Sequence, residues 1–436
     1  MADYSFASDN SAGACPEAME AILAANQGFA SGYGTDHVTA KAADLVREML
    51  DADADVRFVA SGTAANAVAL AALCRPFEAV IAHEHAHICT DEAGAPGFFG
   101  HGLGLIPLKG LSGRIDPNAL EAVFADPDVS YRQSPAVLSL TNATEYGTVY
   151  PTAYLSHLIQ RAKARGLPVH LDGARLANAV ATPYELDQPT FEITAALPGA
   201  SAEAMVATVA EPLLHHVAPL TGVYRMTSQS ADGSTRITLQ FERTHDADAA
   251  ARDLQAAITA ADAQLPGDMD APPSFRKLDR ADPEFDLKAL KTLGVDIAVI
   301  GGAKAGAALS EAIVLFDKTL SRRFDARLKQ AGQLPSKGRF LSAPWIGMLE
   351  SGAWVARARH ANTMARKLAA LMPFPLMHPV EANAVFVDMD DEALERLHAA
   401  GYFVYRFTDG SVRFMCSWAT TADAVEALGE VLKGIV

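Results

Sequence analysis

The chain has 436 residues, of which half are hydrophobic and a fifth are charged, and its net charge is −16. This length provides for two or three domains with ample core, and the composition is that of ordinary globular proteins. The acidic balance argues against a nucleic-acid partner or an anionic membrane surface.

The cysteines Cys15, Cys74, Cys89 and Cys416 have no paired spacing, which favours a reducing compartment over a disulfide framework or a zinc ribbon. The sequence starts without a basic region followed by an apolar one, and no apolar run is as long as a membrane span. We therefore expect a soluble cytoplasmic protein without a signal peptide or membrane segment.

Helices and strands alternate along the first part of the chain. The pattern predicts helices at 16–25, 39–51, 115–124 and 151–165, a short strand near 56, and strands at 77–82, 136–142 and 168–171. This alternation predicts an α/β fold with a mostly parallel sheet.

A small-residue helix is predicted after Ser61, Gly62 and Thr63. The free N–H groups and the dipole of a helix start can bind an anion. The same residue types also cap helices that bind nothing, so plain capping stays an alternative.

An acid and a cation follow the strand at 168–171. Asp172 comes directly after this strand, Gly173 turns the backbone, and Arg175 is three residues after the acid. Ligands of open α/β sheets bind outside the carboxyl ends of the strands, so Asp172 and Arg175 are candidates to contact one ligand. A surface acid and a solvated arginine at an ordinary turn are the alternative.

Lys304 follows the apolar segment 295–300 and has glycines on both sides, at 301–302 and 306. Packing gives little reason for a lysine there. Small neighbours would let its amine approach a bound carbonyl cofactor closely.

Residues 83–87, His-Glu-His-Ala-His, match the His-Glu-x-x-His pattern of zinc proteases. That pattern needs both histidines on one face of a helix. Here it follows a predicted strand and runs into a segment with glycine and proline, so we expect no metal. A histidine at this position can instead stack on a flat ligand ring.

The character of the sequence changes near residue 188. A strand at 191–197, a helix at 201–217, a hairpin of 223–230 with 234–241 and a helix at 246–263 have the order βαββα. This is the order of a ferredoxin-like module that lacks its last strand, which would leave an unpaired edge. The α/β pattern resumes at 286, and the chain ends in a smaller α+β region.

Distinctive short segments lie on both sides of this module. They are residues 6–10 (Phe-Ala-Ser-Asp-Asn), 60–66 (Ala-Ser-Gly-Thr-Ala-Ala-Asn), 87–94 (His-Ile-Cys-Thr-Asp-Glu-Ala-Gly), 144–148 (Thr-Glu-Tyr-Gly-Thr), 170–175 (His-Leu-Asp-Gly-Ala-Arg), 329–333 (Lys-Gln-Ala-Gly-Gln), 381–386 (Glu-Ala-Asn-Ala-Val-Phe) and 412–413 (Val-Arg). With them, residues 4–182 and 286–436 resemble the low-specificity L-threonine aldolases, which are fold-type-I enzymes that use pyridoxal 5′-phosphate (PLP). The resemblance implies a PLP large domain at 1–187 and 286–335, an insertion at 188–285, and a small α+β domain at 336–436.

The resemblance also implies roles for individual residues. Lys304 attaches the cofactor, Asp172 keeps its pyridine nitrogen protonated, and His87 stacks on its ring. The resemblance implies that all three are catalytic residues. The remaining cofactor and substrate residues are Gly62 and Thr63 for the phosphate, Arg175 for both cofactor and substrate, and Ser8, Arg413, Tyr33 and Glu145 for the substrate. Arginine suits the substrate carboxylate. His87 or a water is the candidate base for the β-hydroxyl proton, and Glu145 lies where some relatives carry a histidine.

Tyr33 and Lys337 resemble residues that the family offers across a dimer interface. We therefore expect a homodimer or homotetramer whose other partner is a small amino-acid substrate.

Two departures from the family are visible. Ala303 and Ala305 replace the threonine and asparagine that usually flank the lysine. The lost hydroxyl is expected to weaken cofactor binding by about 1 kcal/mol or more, the scale of one hydrogen bond.

The insertion is the second departure. Its residues 197–201 (Leu-Pro-Gly-Ala-Ser), 226–230 (Met-Thr-Ser-Gln-Ser), 233–237 (Gly-Ser-Thr-Arg-Ile) and 250–258 resemble the first porter subdomain of resistance–nodulation–division efflux pumps. Those pumps need transmembrane helices, so we do not expect this segment to transport on its own.

The leading hypothesis is a PLP-dependent aldehyde-lyase that cleaves L-threonine or L-allo-threonine to glycine and acetaldehyde. The alternatives are a catalytically impaired aldolase scaffold that displays the porter-like module for binding, another PLP reaction such as transamination or β-elimination, and a zinc hydrolase.

Overall fold

The computed structural model describes residues 3–126, 130–182, 189–241, 245–269, 271–278 and 285–435. The chain divides into two compact units. Unit 1 consists of Met1–Thr182 and Glu284–Val436, and unit 2 is Pro183–Pro283. The predicted domain boundary at 187–188 lies outside the described residues.

The strands of the described residues are, in chain order, β1 (Asp55–Val59), β2 (Glu78–His83), β3 (Gly104–Leu108), β4 (Ser134–Thr141), β5 (Val169–Gly173), β6 (Thr190–Ala196), β7 (Val223–Ala231), β8 (Ser234–Phe241), β9 (Ser274–Lys277), β10 (Ile297–Gly301), β11 (Glu311–Leu315), β12 (Ala384–Val387), β13 (Tyr405–Arg406) and β14 (Val412–Met415).

The α-helices of the described residues are α1 (Pro16–Ala25), α2 (His37–Leu50), α3 (Gly62–Leu73), α4 (His87–Thr90), α5 (Ala95–Phe99), α6 (Pro117–Ala125), α7 (Thr152–Ala164), α8 (Leu176–Val180), α9 (Ala202–Met205), α10 (Glu211–Val217), α11 (Ala247–Ala261), α12 (Leu290–Leu293), α13 (Phe324–Gln330), α14 (Arg339–Glu350), α15 (Ala353–Leu371), α16 (Asp391–Ala399) and α17 (Ala422–Lys433). Among them, none combines the length and the apolar character that crossing a bilayer requires.

Unit 1 is built on a seven-stranded sheet with the order β1-β11-β10-β5-β4-β2-β3. Strand β11 runs antiparallel to both of its neighbours, and the other pairings are parallel. Strands β5, β10 and β11 are buried along their whole length, as expected for strands whose two faces are both covered. The predicted α/β class with a mostly parallel sheet is confirmed.

The largest core of unit 1 lies between this sheet and helices that include α1, α2, α7 and α14. Its members include Leu171 and Ile300 from the sheet and the fully buried Trp345 from α14. A second core lies around the three-stranded sheet β12-β14-β13 with α15, α16 and α17, near the end of the chain.

Unit 2 has a four-stranded sheet with the order β7-β8-β6-β9. Helices α10 and α11 place Leu213 and Leu254 against Phe191 and Leu239 of the sheet, so both helices cover the same face. The unit therefore has an apolar core of its own.

The prediction that unit 2 lacks its last strand is wrong. Strand β9 pairs antiparallel with β6, and Phe191 lies opposite Lys277. The order is thus βαββαβ, and the two ends of the module lie side by side. Two prolines precede β9 and obscure the strand pattern, although proline is tolerated at the start of an edge strand.

Candidate active site

The carboxyl ends of β4, β5 and β10 meet at one edge of the central sheet. Asp172 of β5 lies opposite Val299 of β10 and Thr141 of β4. Lys304 follows β10 in a single 3₁₀ turn, Ala303–Ala305. The sheet register thus brings the predicted acid and the predicted lysine to the same edge, where open α/β sheets bind ligands.

Glycines allow the lysine turn to approach its neighbours. A Cβ atom at Gly301 would lie 2.0 Å from the carbonyl oxygen of Ala174, and one at Gly302 would lie 2.4 Å from that of Ser310. Both positions would clash with backbone, so the packing of this turn requires Gly301 against the segment that follows Asp172 and Gly302 against the segment that precedes β11.

The Lys304 amine has an altered acidity. Burial lowers its pKa below the ordinary value, and the nearby Arg175 lowers it further. The carboxylates of Asp9, Asp172 and Glu311 oppose this shift. An amine with a lowered pKa is more often neutral, which is the form that attacks a carbonyl group.

Asp172 is buried and held by two donors. Its Oδ1 accepts a hydrogen bond from the Ala174 N–H at 2.9 Å, and its Oδ2 accepts one from Asn66 Nδ2 at 2.8 Å. Asn66 Nδ2 also donates to Oε1 of the buried Glu92 at 2.9 Å. The carboxylate of Asp172 therefore has a fixed orientation at the sheet edge.

His87 begins α4 and is held through its backbone and its ring. Its N–H donates to Glu145 Oε1 at 2.9 Å, and its Nδ1 lies 2.9 Å from Glu92 Oε1. The hydrogen bond to Glu92 raises the pKa of His87 above its ordinary value.

The two histidines of the zinc-protease pattern do not share a helix. His83 ends β2, and its Nε2 lies 3.1 Å from the Gly110 carbonyl oxygen, whereas His87 begins α4. No group of three or more metal-ligating side chains is found among the described residues.

Glu145 is an acid with one uncommitted oxygen. Burial raises its pKa to about 7, and the charge of Asp172 acts in the same direction. Its buried Oε2 has no hydrogen-bond partner among the described residues. A carboxyl group with a pKa near neutrality can take up and return a proton at ordinary pH.

The two predicted substrate arginines differ in their partners. Arg175 donates from Nε and Nη2 to the buried Asp9 at 2.7 and 3.0 Å. Arg413 donates from Nη2 to the Ala7 carbonyl oxygen at 3.3 Å, and its buried Nε has no partner among the described residues. Within the described ranges of the chain, Arg413 therefore has more free hydrogen-bond donors than Arg175.

The predicted phosphate segment is a helix start, as expected. Helix α3 begins at Gly62, and Ser61 caps it by accepting a hydrogen bond from the Ala64 N–H at 3.3 Å. The N–H groups of a first helical turn have no partner within the helix, so those of Gly62 and Thr63 are suited to an anion. Ser8 caps the short turn Asp9–Ser11 beside the arginines.

Tyr33 and Lys337 lie on neighbouring segments and are exposed. The Tyr33 N–H donates to the carbonyl oxygen of Ser336 at 3.2 Å. The Lys329 ammonium lies 4.4 Å from the centre of the Tyr33 ring.

Several buried polar atoms in this region have no hydrogen-bond partner in the part of the chain that the structure describes. They are Asn66 Oδ1, Glu92 Oε2, Glu145 Oε2, Asn383 Oδ1 and Arg413 Nε. Buried polar atoms are normally hydrogen-bonded, so these atoms indicate a polar ligand or bound water. A buried amine, an oriented carboxylate, a histidine and a free helix start are the donor set that PLP requires, and the residues present fit this cofactor.

Four partner residues were missed from the sequence: Asp9, Asn66, Glu92 and Glu311. Asp9, Asn66 and Glu92 lie inside the segments 6–10, 60–66 and 87–94 on which the family resemblance depends. The signal was present, but their pairings with Arg175, Asp172 and His87 depend on the fold.

Comparison with known proteins shows the family of this chain. The family described as beta-eliminating lyase matches residues 5–213 and 244–392. The low-specificity L-threonine aldolase of Pseudomonas aeruginosa is 34% identical to this chain over 99% of both proteins. The chain belongs to this aldolase family. A solved structure of Leishmania major threonine aldolase, 24% identical with full coverage of both chains, has the same fold with a TM-score of 0.72.

A second comparison concerns unit 2 of this aldolase-family member. The AcrB/AcrD/AcrF family matches residues 178–291, which include all of unit 2. The multidrug resistance protein MdtC of Edwardsiella ictaluri is 46% identical over 122 residues, which are 28% of this chain and 12% of that protein. The predicted resemblance of the insertion to efflux proteins is confirmed.

Proposed function

We propose that this protein is a PLP-dependent aldehyde-lyase that cleaves L-threonine or L-allo-threonine to glycine and acetaldehyde. The observation that supports this most directly is the meeting of Lys304, Asp172 and His87 at one sheet edge, in a chain of the aldolase family.

The residues present would hold PLP as follows. The Lys304 amine would bind its carbonyl carbon, Asp172 would pair with the pyridine nitrogen, and His87 would lie against the ring. The helix start at Gly62 and Thr63 would bind the phosphate. When bound, PLP supplies an electron sink for the electron pair that remains on the substrate α-carbon after the Cα–Cβ bond breaks.

Arg413 and Ser8 would bind the substrate carboxylate. Arg175 stands beside them, but its Nε and Nη2 already donate to Asp9. Asp9 therefore orients Arg175 and partly neutralises it, which leaves Arg413 as the principal cation for the carboxylate.

Glu145 is suited to the proton transfer of this reaction. Cleavage removes the proton of the β-hydroxyl group, converts the Cβ–O bond to a carbonyl, and leaves the α-carbon to receive a proton. The unpaired Oε2 of Glu145 can accept the hydroxyl proton, while its Oε1 is fixed by the His87 N–H. The ring Nδ1 of His87 is occupied by Glu92, which leaves Nε2 of His87 as the second candidate base.

The test is product formation by the purified full-length protein with added PLP and either threonine isomer. We expect glycine and acetaldehyde in equal amounts, and a visible absorbance band of the bound cofactor that shifts with glycine. Lys304→Ala should abolish both, whereas Lys318→Ala, an exposed lysine paired with Asp53, should leave them unchanged.

Other results would support other functions. A 2-oxo acid without acetaldehyde would indicate transamination or elimination. Cofactor binding without any product would indicate an impaired scaffold that displays unit 2.

We further infer a homodimer or homotetramer in the cytoplasm. The exposed Tyr33 and Lys337 lie on neighbouring segments, and the Phe29 side chain nearby in sequence is fully exposed, as expected of a surface that another copy covers. All four cysteines are free, which suits a reducing compartment. Light scattering with Tyr33→Asp as the variant tests the assembly.

A further inference from the structure

A continuous chain of hydrogen bonds joins Asp172 to His87 through two buried residues without an assigned role. Asn66 Nδ2 donates to Asp172 Oδ2 at 2.8 Å and to Glu92 Oε1 at 2.9 Å. The same oxygen of Glu92 lies 2.9 Å from His87 Nδ1. Asn66, Glu92 and Asp172 are each less than 5% exposed.

The residue types are suited to this arrangement. Two buried carboxylates repel each other, and a neutral amide with two N–H hydrogens can donate to both at once. An aspartate at 66 could not do so, since an ionised carboxylate only accepts. Asn66 therefore links the two acids without adding charge.

Glu92 fixes the ring of His87. With its Nδ1–H donating to Glu92, the ring is held in one orientation and one tautomer. Burial raises the pKa of Glu92, while the hydrogen bonds from His87 and Asn66 oppose this shift.

We propose that Asn66 and Glu92 are positioning residues that hold Asp172 and His87 in one fixed geometry for a bound PLP ring. The proposal rests on the proposed function, because the ring is what these two side chains would contact. Asn66 sets the plane of the carboxylate that would face the pyridine nitrogen. Glu92 sets the orientation of the His87 ring that would lie against the pyridine face.

The first test follows the His87 imidazole by NMR in the protein without PLP. The charged groups around His87 are Glu92, Asp172, Glu145 and Lys304. Glu92→Gln keeps the shape and an acceptor but removes the charge, so the pKa of His87 should fall. Glu84→Gln makes the same charge change three residues from His87 and should leave this pKa unchanged.

The second test measures PLP affinity by titration. Glu92→Gln should weaken binding about tenfold, the effect of one charge-assisted hydrogen bond. The thermal midpoint should stay the same or rise, because a buried acid is removed. A merely structural Glu92 would lower the midpoint and leave both the His87 titration and PLP affinity unchanged, which would overturn the proposal.

Asn66→Ala provides an independent variant should Glu92→Gln fail to fold. It removes the hydrogen bonds that join Asp172 to Glu92 but leaves the pair of Glu92 and His87. PLP affinity should therefore fall, while the pKa of His87 should change less than in Glu92→Gln. Unchanged affinity in Asn66→Ala would overturn the role of the bridge.

The readouts separate this proposal from the proposed function. If wild-type protein releases no acetaldehyde but Glu92→Gln lowers both the His87 pKa and PLP affinity, the positioning role stands and the aldolase assignment fails. If wild-type protein cleaves threonine and neither variant changes these quantities, the positioning role fails alone.

Discussion

Arg175 and Arg413 have the same side chain but different hydrogen-bond partners in this fold. Asp9 accepts two hydrogen bonds from Arg175 and has a third donor in Asn383. Although burial opposes it, the charge of Arg175 lowers the pKa of Asp9, which favours the ionised form of this carboxyl. Burial and the charge of Arg175 lower the pKa of Arg413. Among the described residues no carboxylate pairs with Arg413, whereas Asp9 offsets the charge of Arg175, so a substrate carboxylate would stabilise Arg413 far more than Arg175.

Arg413→Lys should therefore raise KM for L-threonine about 10- to 100-fold, with a smaller effect on kcat. The physical reason is the loss of the planar guanidinium fork, worth roughly 1–3 kcal/mol to a bound carboxylate. Steady-state kinetics of acetaldehyde release measure this. Arg406→Lys, on neighbouring β13 and paired with Asp391, is the control and should not change KM. An unchanged KM in Arg413→Lys would show that the carboxylate binds elsewhere.

At the scale of elements, β10 and β11 together hold the lysine turn. Glu311 of β11 accepts a hydrogen bond from the Gly302 N–H at 2.8 Å, just before Lys304. Burial raises the pKa of this carboxyl from an ordinary value of 4.5 to about 7. Folding therefore favours the protonated form of Glu311. The stability that this form contributes is present at low pH and is lost as the pH rises toward and through the folded-state pKa of about 7.

Glu311→Gln should remove this pH dependence in the protein without PLP. The glutamine can still accept the hydrogen bond from the Gly302 N–H. As the pH rises from 5 to 8, the free energy of unfolding of the variant should therefore increase relative to that of wild type, on the order of 1–3 kcal/mol. Urea unfolding at both pH values measures the difference. Glu78→Gln on β2 is the matched control, and a constant difference between Glu311→Gln and wild type would contradict the argument.

Elements with strong local patterns were predictable, and those that depend on distant pairing were not. The helix Pro16–Ala25 and the hairpin of unit 2 follow from capping, periodicity and turn residues. Strands β3 and β9 were missed because they are short and lie at or after prolines, so their partners decide them.

The same limit applies to the site. Strand ends predicted that Asp172 and Arg175 contact one ligand, and the family resemblance added Lys304 and His87 to this site. Asp9 is 166 residues from its partner Arg175, and Asn66 is 106 residues from Asp172. No local pattern encodes such a pairing, since it follows from the strand order of the sheet.

At the scale of the whole molecule, the two units have separate cores. The residues of the candidate site all belong to unit 1, and the core of unit 2 is built from its own strands and helices. Replacing residues 188–283 by a short linker should therefore preserve kcat/KM within about threefold, because Phe285 stays in place and the core of unit 1 loses no member.

A point substitution checks the same independence without shortening the chain. Leu254→Asp, at a fully buried position of α11, should unfold unit 2 and leave threonine cleavage intact. Loss of activity in both variants would show that unit 2 has become part of the aldolase structure.

The pairing of β6 with β9 explains how the chain tolerates so large an insertion. Phe191 and Lys277 are partners across adjacent strands, so the folded module begins and ends about 5 Å apart. An unstructured segment of about 100 residues would cost roughly 3 kcal/mol more in loop-closure entropy than a four-residue turn. Once unit 2 is folded, its cost in loop-closure entropy to unit 1 is that of a short loop. The same position should accept other modules whose two termini lie side by side, and reject those whose termini are far apart.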